Sequence, residues 1–231
     1  MIAVFKREFK TMFTGPIAYF VWALLFFFND NVLYTSTSME GVFGILYTVS
    51  MLLVVPILSM RLFSEDRRNK TDQALLTAPV SLTGVVVGKY LAALLVFLLG
   101  ISITLVFAVV MAMFDATPAW ASILGNWLGL ALLGGNLIAA GMFFSTLTES
   151  QFIAALCTFA FSYVLMMMDS LATLFGSAEW LAKVVEFLSV NIRYNAFAAG
   201  SIGYGNVLYF LSMQALFLFL AVRVLDSRKW K

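Results

Sequence analysis

Six long apolar runs alternate with shorter polar stretches along the chain, at residues 17–34, 42–62, 85–113, 123–145, 152–175 and 207–222. About 20 apolar residues in a helix cross the hydrocarbon of a bilayer, so each run is a predicted transmembrane helix. The third run exceeds that need and is expected to tilt or to project at one end. Ahead of the first run, Ile2, Phe5, Phe9, Met12 and Phe13 recur at helical spacing while Lys6, Arg7 and Lys10 take other faces. That pattern predicts an amphipathic helix over residues 1–14 lying in the membrane interface. Gly15 and Pro16 then turn the chain into the bilayer. Residues 176–205 combine a stripe of Trp180, Leu181, Val184, Val185 and Leu188 with Glu179, Lys183, Glu186 and Arg193. Such charges are costly in hydrocarbon, so this segment is expected to be interfacial or re-entrant on the extracytoplasmic side. The expected fold class is all-α: a polytopic integral membrane protein of six transmembrane helices forming one domain over residues 1–231.

The largest concentration of polar surface separates the second and third runs. Residues 60–81 carry seven charged side chains, Arg61, Glu65, Asp66, Arg67, Arg68, Lys70 and Asp72. Within this aqueous loop, placed at 63–83, Thr71 can cap a short helix that has Ala74, Leu75 and Ala78 on one face and ends at Pro79. A small helix with one apolar face, pinned close to a membrane, calls for a protein partner to cover that face.

Composition supports the membrane class, with 62% hydrophobic and 11% charged residues. The placement of the basic residues adds an orientation. Six crossings put both termini and the loop on one face, with twelve basic residues there, Lys6, Arg7, Lys10, Arg61, Arg67, Arg68, Lys70, Lys89, Arg223, Arg228, Lys229 and Lys231, against Lys183 and Arg193 opposite. By the positive-inside rule that face is cytoplasmic. No basic cluster is large enough to suggest nucleic acid as a partner.

Catalytic patterns are largely missing. The chain has no histidine, and its single cysteine, Cys157, sits in an apolar run. The stretch Gly84-Val85-Val86-Val87-Gly88-Lys89-Tyr90 falls one residue short of a phosphate loop and has Tyr where Ser or Thr holds magnesium. It is better explained as a face of small residues for close helix packing, with Lys89 snorkelling to the cytoplasm; Gly125 and Gly129 invite the same reading. Asp169 is the main acid within a run, where mid-bilayer burial costs roughly 2.5–3.5 kcal/mol. Asn126, Asn136 and Gln214 are placed either to line a polar route or, more in keeping with such residues, to hydrogen-bond between helices. Met166, Met167 and Met168 have no Cys or His beside them and are expected to pack rather than bind metal. The expectation is a protein that is not an enzyme, binds no cofactor directly and is driven by another protein. A secondary transporter and a membrane-embedded scaffold remain alternatives.

The chain resembles the ABC-2 type transporter permeases, and within them the compact six-helix branch that includes gliding-motility-associated permeases. Three stretches carry the resemblance: Phe5-Lys6-Arg7-Glu8-Phe9-Lys10 with Phe13-Thr14-Gly15-Pro16-Ile17, the loop from Met60 through Pro79-Val80-Ser81, and Phe197-Ala198-Ala199-Gly200 with Val207-Leu208-Tyr209-Phe210-Leu211. The resemblance implies a permease in the bacterial inner membrane, multi-pass with both termini cytoplasmic, working as a homodimer or with a similar second permease. It also implies a separate ATPase subunit that uses ATP and magnesium, and an export function. On that reading Glu65, Asp66, Arg67 and Arg68 orient the ATPase by charge, while Thr71, Gln73, Leu75 and Leu76 form the coupling helix. Phe5, Lys6, Arg7, Phe9 and Lys10 belong to the interfacial connecting helix, in contact with membrane lipids.

Overall fold

The computed structural model describes residues 2–36, 39–70, 81–113, 119–174 and 189–228. Every regular element among them is helical: α1 (Ile2–Thr14), α2 (Pro16–Ser36), α3 (Met39–Arg68), α4 (Leu82–Met113), α5 (Trp120–Leu147), α6 (Gln151–Leu174), α7 (Val190–Ala198) and α8 (Tyr204–Arg228). Five of these, α3 to α6 and α8, are each long and apolar enough to cross a membrane. The pair Val4–Thr14 and Pro16–Asn31, bent by 66°, supplies a sixth crossing when counted as one span. The protein is therefore an all-helical polytopic membrane protein.

The bend between α1 and α2 follows from two residues. Gly15 closes α1 by donating its amide to the Thr11 carbonyl at 3.0 Å. Pro16 then starts α2 at a position where a missing N–H costs nothing. On α1 the rings of Phe5 and Phe9 stack with centroids 5.8 Å apart, Phe13 meets Phe9 at a tilt at 4.7 Å, and Phe13 meets Trp22 of α2 edge-on at 5.3 Å. Lys6, Arg7 and Lys10 face outward, while α1 packs along α4.

Two irregularities mark α3. Pro56 has no N–H to offer the Leu52 carbonyl, and its ring crowds that turn. The helix widens there into a π turn over Ser50–Val54, with the Val55 amide donating to the Ser50 carbonyl. The second lies at Met60, where Ser145 of α5 inserts its hydroxyl. Ser145 Oγ donates to the Met60 carbonyl at 3.1 Å and accepts from the amides of Phe63 at 3.1 Å and Ser64 at 3.0 Å. A side chain set into the ladder in this way breaks the regular i→i−4 bonding. Beyond it the helix runs on to Arg68, past residue 62 where the apolar pattern ends, with Phe63 and Ser64 buried.

Most of α5 is buried, whereas α6 and α8 are mostly exposed. Its neighbours reach it through glycines. A Cβ on Gly125 would stand 2.1 Å from the Phe197 carbonyl oxygen of α7, one on Gly134 would stand 2.1 Å from the Phe97 ring of α4, and one on Gly141 would stand 2.2 Å from Ser59 Oγ of α3. Lipid tails are as apolar as the helices, so close packing of this kind, rather than exclusion of water, holds membrane helices together.

Of the interfacial segment expected over 176–205, residues 176–188 lie outside the described residues. The remainder forms α7, capped by Ser189 Oγ accepting from the Ile192 amide at 3.3 Å. Val190, Tyr194 and Phe197 turn its buried face toward α5. Gly200 ends the segment at φ +77°, a left-handed conformation that a side chain would strain.

Candidate functional site: an ion cluster joining three helices

Lys89 is the only charged residue of α4. Near the start of a long apolar helix, its ammonium either reaches water or finds anions. It finds two: Nζ lies 3.1 Å from Glu8 Oε2 on α1 and 2.9 Å from Asp66 Oδ2 on α3. The Lys89 side chain is 3% exposed, Glu8 12% and Asp66 22%. Lys89 therefore does not snorkel, contrary to the sequence expectation. An acid from α1 and an acid from α3 meet it, and pairing rather than hydration satisfies the charge. The Phe63 ring sits 5.4 Å from Nζ, adding an aromatic face to the cation's surroundings. Arg7 Nη2 donates to Glu8 Oε1 at 2.6 Å, so Glu8 bridges two cations. The arrangement ties α1, α3 and α4 together at one end of the molecule.

The residues expected to meet a partner divide around this cluster. Asp66 points inward to Lys89. Glu65 forms a half-exposed pair with Arg61 at 3.8 Å. Arg67 reaches across to the turn after α5, donating to Glu149 Oε1 at 2.8 Å and to the Thr146 carbonyl at 3.5 Å. Arg68 is exposed and faces a cleft shared with Glu149, Ser150 and Gln151. Both arginines lie in the last turn of α3, where they complement the negative end of the helix. Lys70 leaves the helix at φ 55°, a left-handed terminus. Thr71, Gln73, Leu75 and Leu76 lie outside the described residues. Because the Arg67–Glu149 pair is 18% and 68% exposed, water already screens it. Arg67→Ala is expected to cost under about 1 kcal/mol in thermal unfolding of the purified protein.

Two of the polar residues within the spans, Asn126 and Gln214, bond between helices. Asn126 Oδ1 accepts from the Tyr194 hydroxyl at 3.0 Å, while its Nδ2 donates to the Ser122 carbonyl at 3.0 Å. Gln214 of α8 accepts from the Tyr90 hydroxyl at 3.0 Å and donates to the Leu132 carbonyl at 3.0 Å, linking α8, α4 and α5. Asn136 is buried, and its Oδ1 makes no hydrogen bond among the described residues. Asp169 lies on α6, and its side chain falls outside the described residues. Among the described residues, no group of three or more His, Cys, Asp or Glu side chains is arranged to hold a metal.

Sequence reasoning passed over Glu8, the pairing of Lys89, Tyr90, Tyr194 and Ser145. Glu8 had a signal, since it is the only acid before Asp30 and sits among three basic residues. Lys89 had another, as a lone cation within an apolar run. Ser145 had none, because a serine in a membrane helix ordinarily bonds its own preceding turn.

Across this architecture, a family model described as ABC-2 family transporter protein matches residues 4–217. No curated protein matches the chain.

Proposed function

We propose that this chain, which belongs to the ABC-2 transporter family, is the permease subunit of an exporter powered by a separate ATPase that binds ATP and magnesium. The ATPase docks on the face that carries α1 and the end of α3, which the distribution of basic residues assigns to the cytoplasm of a bacterial inner membrane. The observation that carries this reading is the ion cluster: Lys89 of α4 held by Glu8 of α1 and Asp66 of α3. A push delivered just after α3 reaches three helices at once through Lys89, with no slack in long exposed side chains. Charged Glu65, Arg67 and Arg68 orient the motor, and Thr71, Gln73, Leu75 and Leu76 form the helix that it grips, with the two leucines filling an apolar groove in its surface. A second copy of the permease completes the route, packing on membrane-exposed apolar surface of the kind that α6 and α8 present.

The test is a double substitution, Leu75→Asp with Leu76→Asp, assayed with the partner ATPase subunit. Stimulation of ATP hydrolysis by the permease is expected to vanish while membrane insertion and the permease's own unfolding midpoint stay unchanged. Full stimulation by the double variant would remove the coupling role. Export predicts ATP-dependent accumulation of substrate inside inverted vesicles.

A further inference from the structure

Asn29 of α2 is fully buried, and neither its Nδ2 nor its Oδ1 makes a hydrogen bond among the described residues. Ala18, Val21 and Leu25, equally buried, precede it on the same helix. A primary amide enclosed in this way without partners is costly, so the arrangement seen here carries an unmet demand at one side chain.

The register of the neighbouring helix shows which group lies nearest. Trp22 Nε1 of α2 donates to the Val96 carbonyl of α4 at 3.0 Å, and a Cβ on Gly100 would stand 2.7 Å from Leu25 and 3.0 Å from the Trp22 ring. The contacts advance together, so α2 and α4 run in parallel. One further turn carries Leu25 to Asn29 and Gly100 to Thr104. Thr104 is fully buried too, and its hydroxyl donates to its own Ile101 carbonyl at 2.6 Å, which leaves its oxygen able to accept from an amide. A donor and an acceptor thus reach the same level of one seam without bonding. Gly100 puts no side chain in the way of Leu25, so α2 is free to slide along α4 there. At the other end the slide is held: Glu8 of α1 pairs with Lys89 of α4 at 3.1 Å, and Phe13 of α1 packs on Trp22 of α2.

We infer that the α2–α4 seam has two registers and that Asn29 is the latch between them. The latch is open in the described register, where the ion cluster fixes α1. It closes on the Thr104 hydroxyl in a second register, reached when the cluster loosens and α2 slides along α4. Lys89 and Thr104 stand roughly 22 Å apart along α4, so a linkage between them requires an element with two discrete positions. The latch is a property of the permease alone, whatever motor drives it.

Thermal unfolding of the full-length permease in lipid nanodiscs reads the latch without substrate or ATPase. Asn29→Leu replaces an unpaired amide by an apolar group of similar size and is expected to raise the midpoint by at least about 2 °C. In the variant Glu8→Gln, Lys89→Met, Asp66→Asn, which removes the three paired charges, the latch has closed, and the gain from Asn29→Leu is expected to vanish or reverse. Thr104→Val is expected to change the midpoint little in the parent and to lower it in that variant. Substitutions this far apart ordinarily act additively, so an equal effect of Asn29→Leu in the two backgrounds overturns the inference. A lower or unchanged midpoint for Asn29→Leu in the parent overturns it as well, because the amide is then already satisfied, by water or otherwise. Should the triple variant fail to fold, as judged by size exclusion, Glu8→Gln alone, which frees the α1 arm, supplies the second background and the same comparison decides.

Discussion

The Lys89→Met protein is expected to unfold well below the parent, losing about 2–4 kcal/mol, because the substitution leaves the partly buried Asp66 carboxylate without its cation and Glu8 with Arg7 alone. Glu8 and Asp66 lie 3.1 and 2.9 Å from the ammonium that would be removed. Most of that loss comes from the stranded Asp66 carboxylate, and from Glu8 keeping one cation of two, rather than from the pairs themselves. The triple variant Lys89→Met, Glu8→Gln, Asp66→Asn is therefore expected to recover a large part of it. Thermal unfolding in detergent reads both effects. A single variant as stable as the parent, or a triple variant no better than the single, would mean that the cluster does not hold these helices together.

Gly125→Ala is the second substitution with a large expected cost, although it adds one methyl group. That methyl would lie 2.1 Å from the carbonyl oxygen of Phe197. The obstacle is backbone, so no rotamer change relieves it, and α7 has to move away from α5. Asn126 and Tyr194, whose hydrogen bond spans the same seam, would be pulled apart with it. Overpacking of this kind costs about 1–3 kcal/mol. Gly44→Ala is the matched control, since a Cβ there meets nothing within 4 Å. In that exposed turn of α3 alanine is expected to be neutral or to stabilise by about 0.5–1 kcal/mol. Equal unfolding midpoints for the two alanine variants would contradict the close approach at Gly125.

The helices were legible in the chain because hydrocarbon imposes one rule, a long apolar run, and the observed elements follow those runs closely. What the pattern misplaced was the end of α3. Charge at Arg61, Glu65 and Asp66 marks contact with water in a hydropathy reading, yet Phe63 and Ser64 between them are buried and the helix continues. Polarity reports what each residue prefers, whereas the helix persists because Ser145 and Lys89, contributed from elsewhere in the chain, satisfy its polar groups. The same limit applies to Lys89. A lysine two turns into an apolar helix looks the same in sequence whether it extends to water or meets acids, and its partners lie 81 and 23 positions away, at Glu8 and Asp66. Gly125 and Gly129 were readable as a packing face. The element that packs there, α7, was not, because its sequence mixes apolar and polar residues without a period that singles out the buried side.

The hydroxyl of Ser145 has a mechanical meaning for α3. In an unbroken helix, tilting the last two turns stretches direct amide-to-carbonyl bonds and is resisted. At Met60 the buried hydroxyl of another helix bonds the carbonyl and two amides of the following turn. The Arg61–Arg68 tip is thus moored to α5 at its first turn, and the Ser64 hydroxyl, which donates to the same Met60 carbonyl, splices it to the rest of α3 across the break.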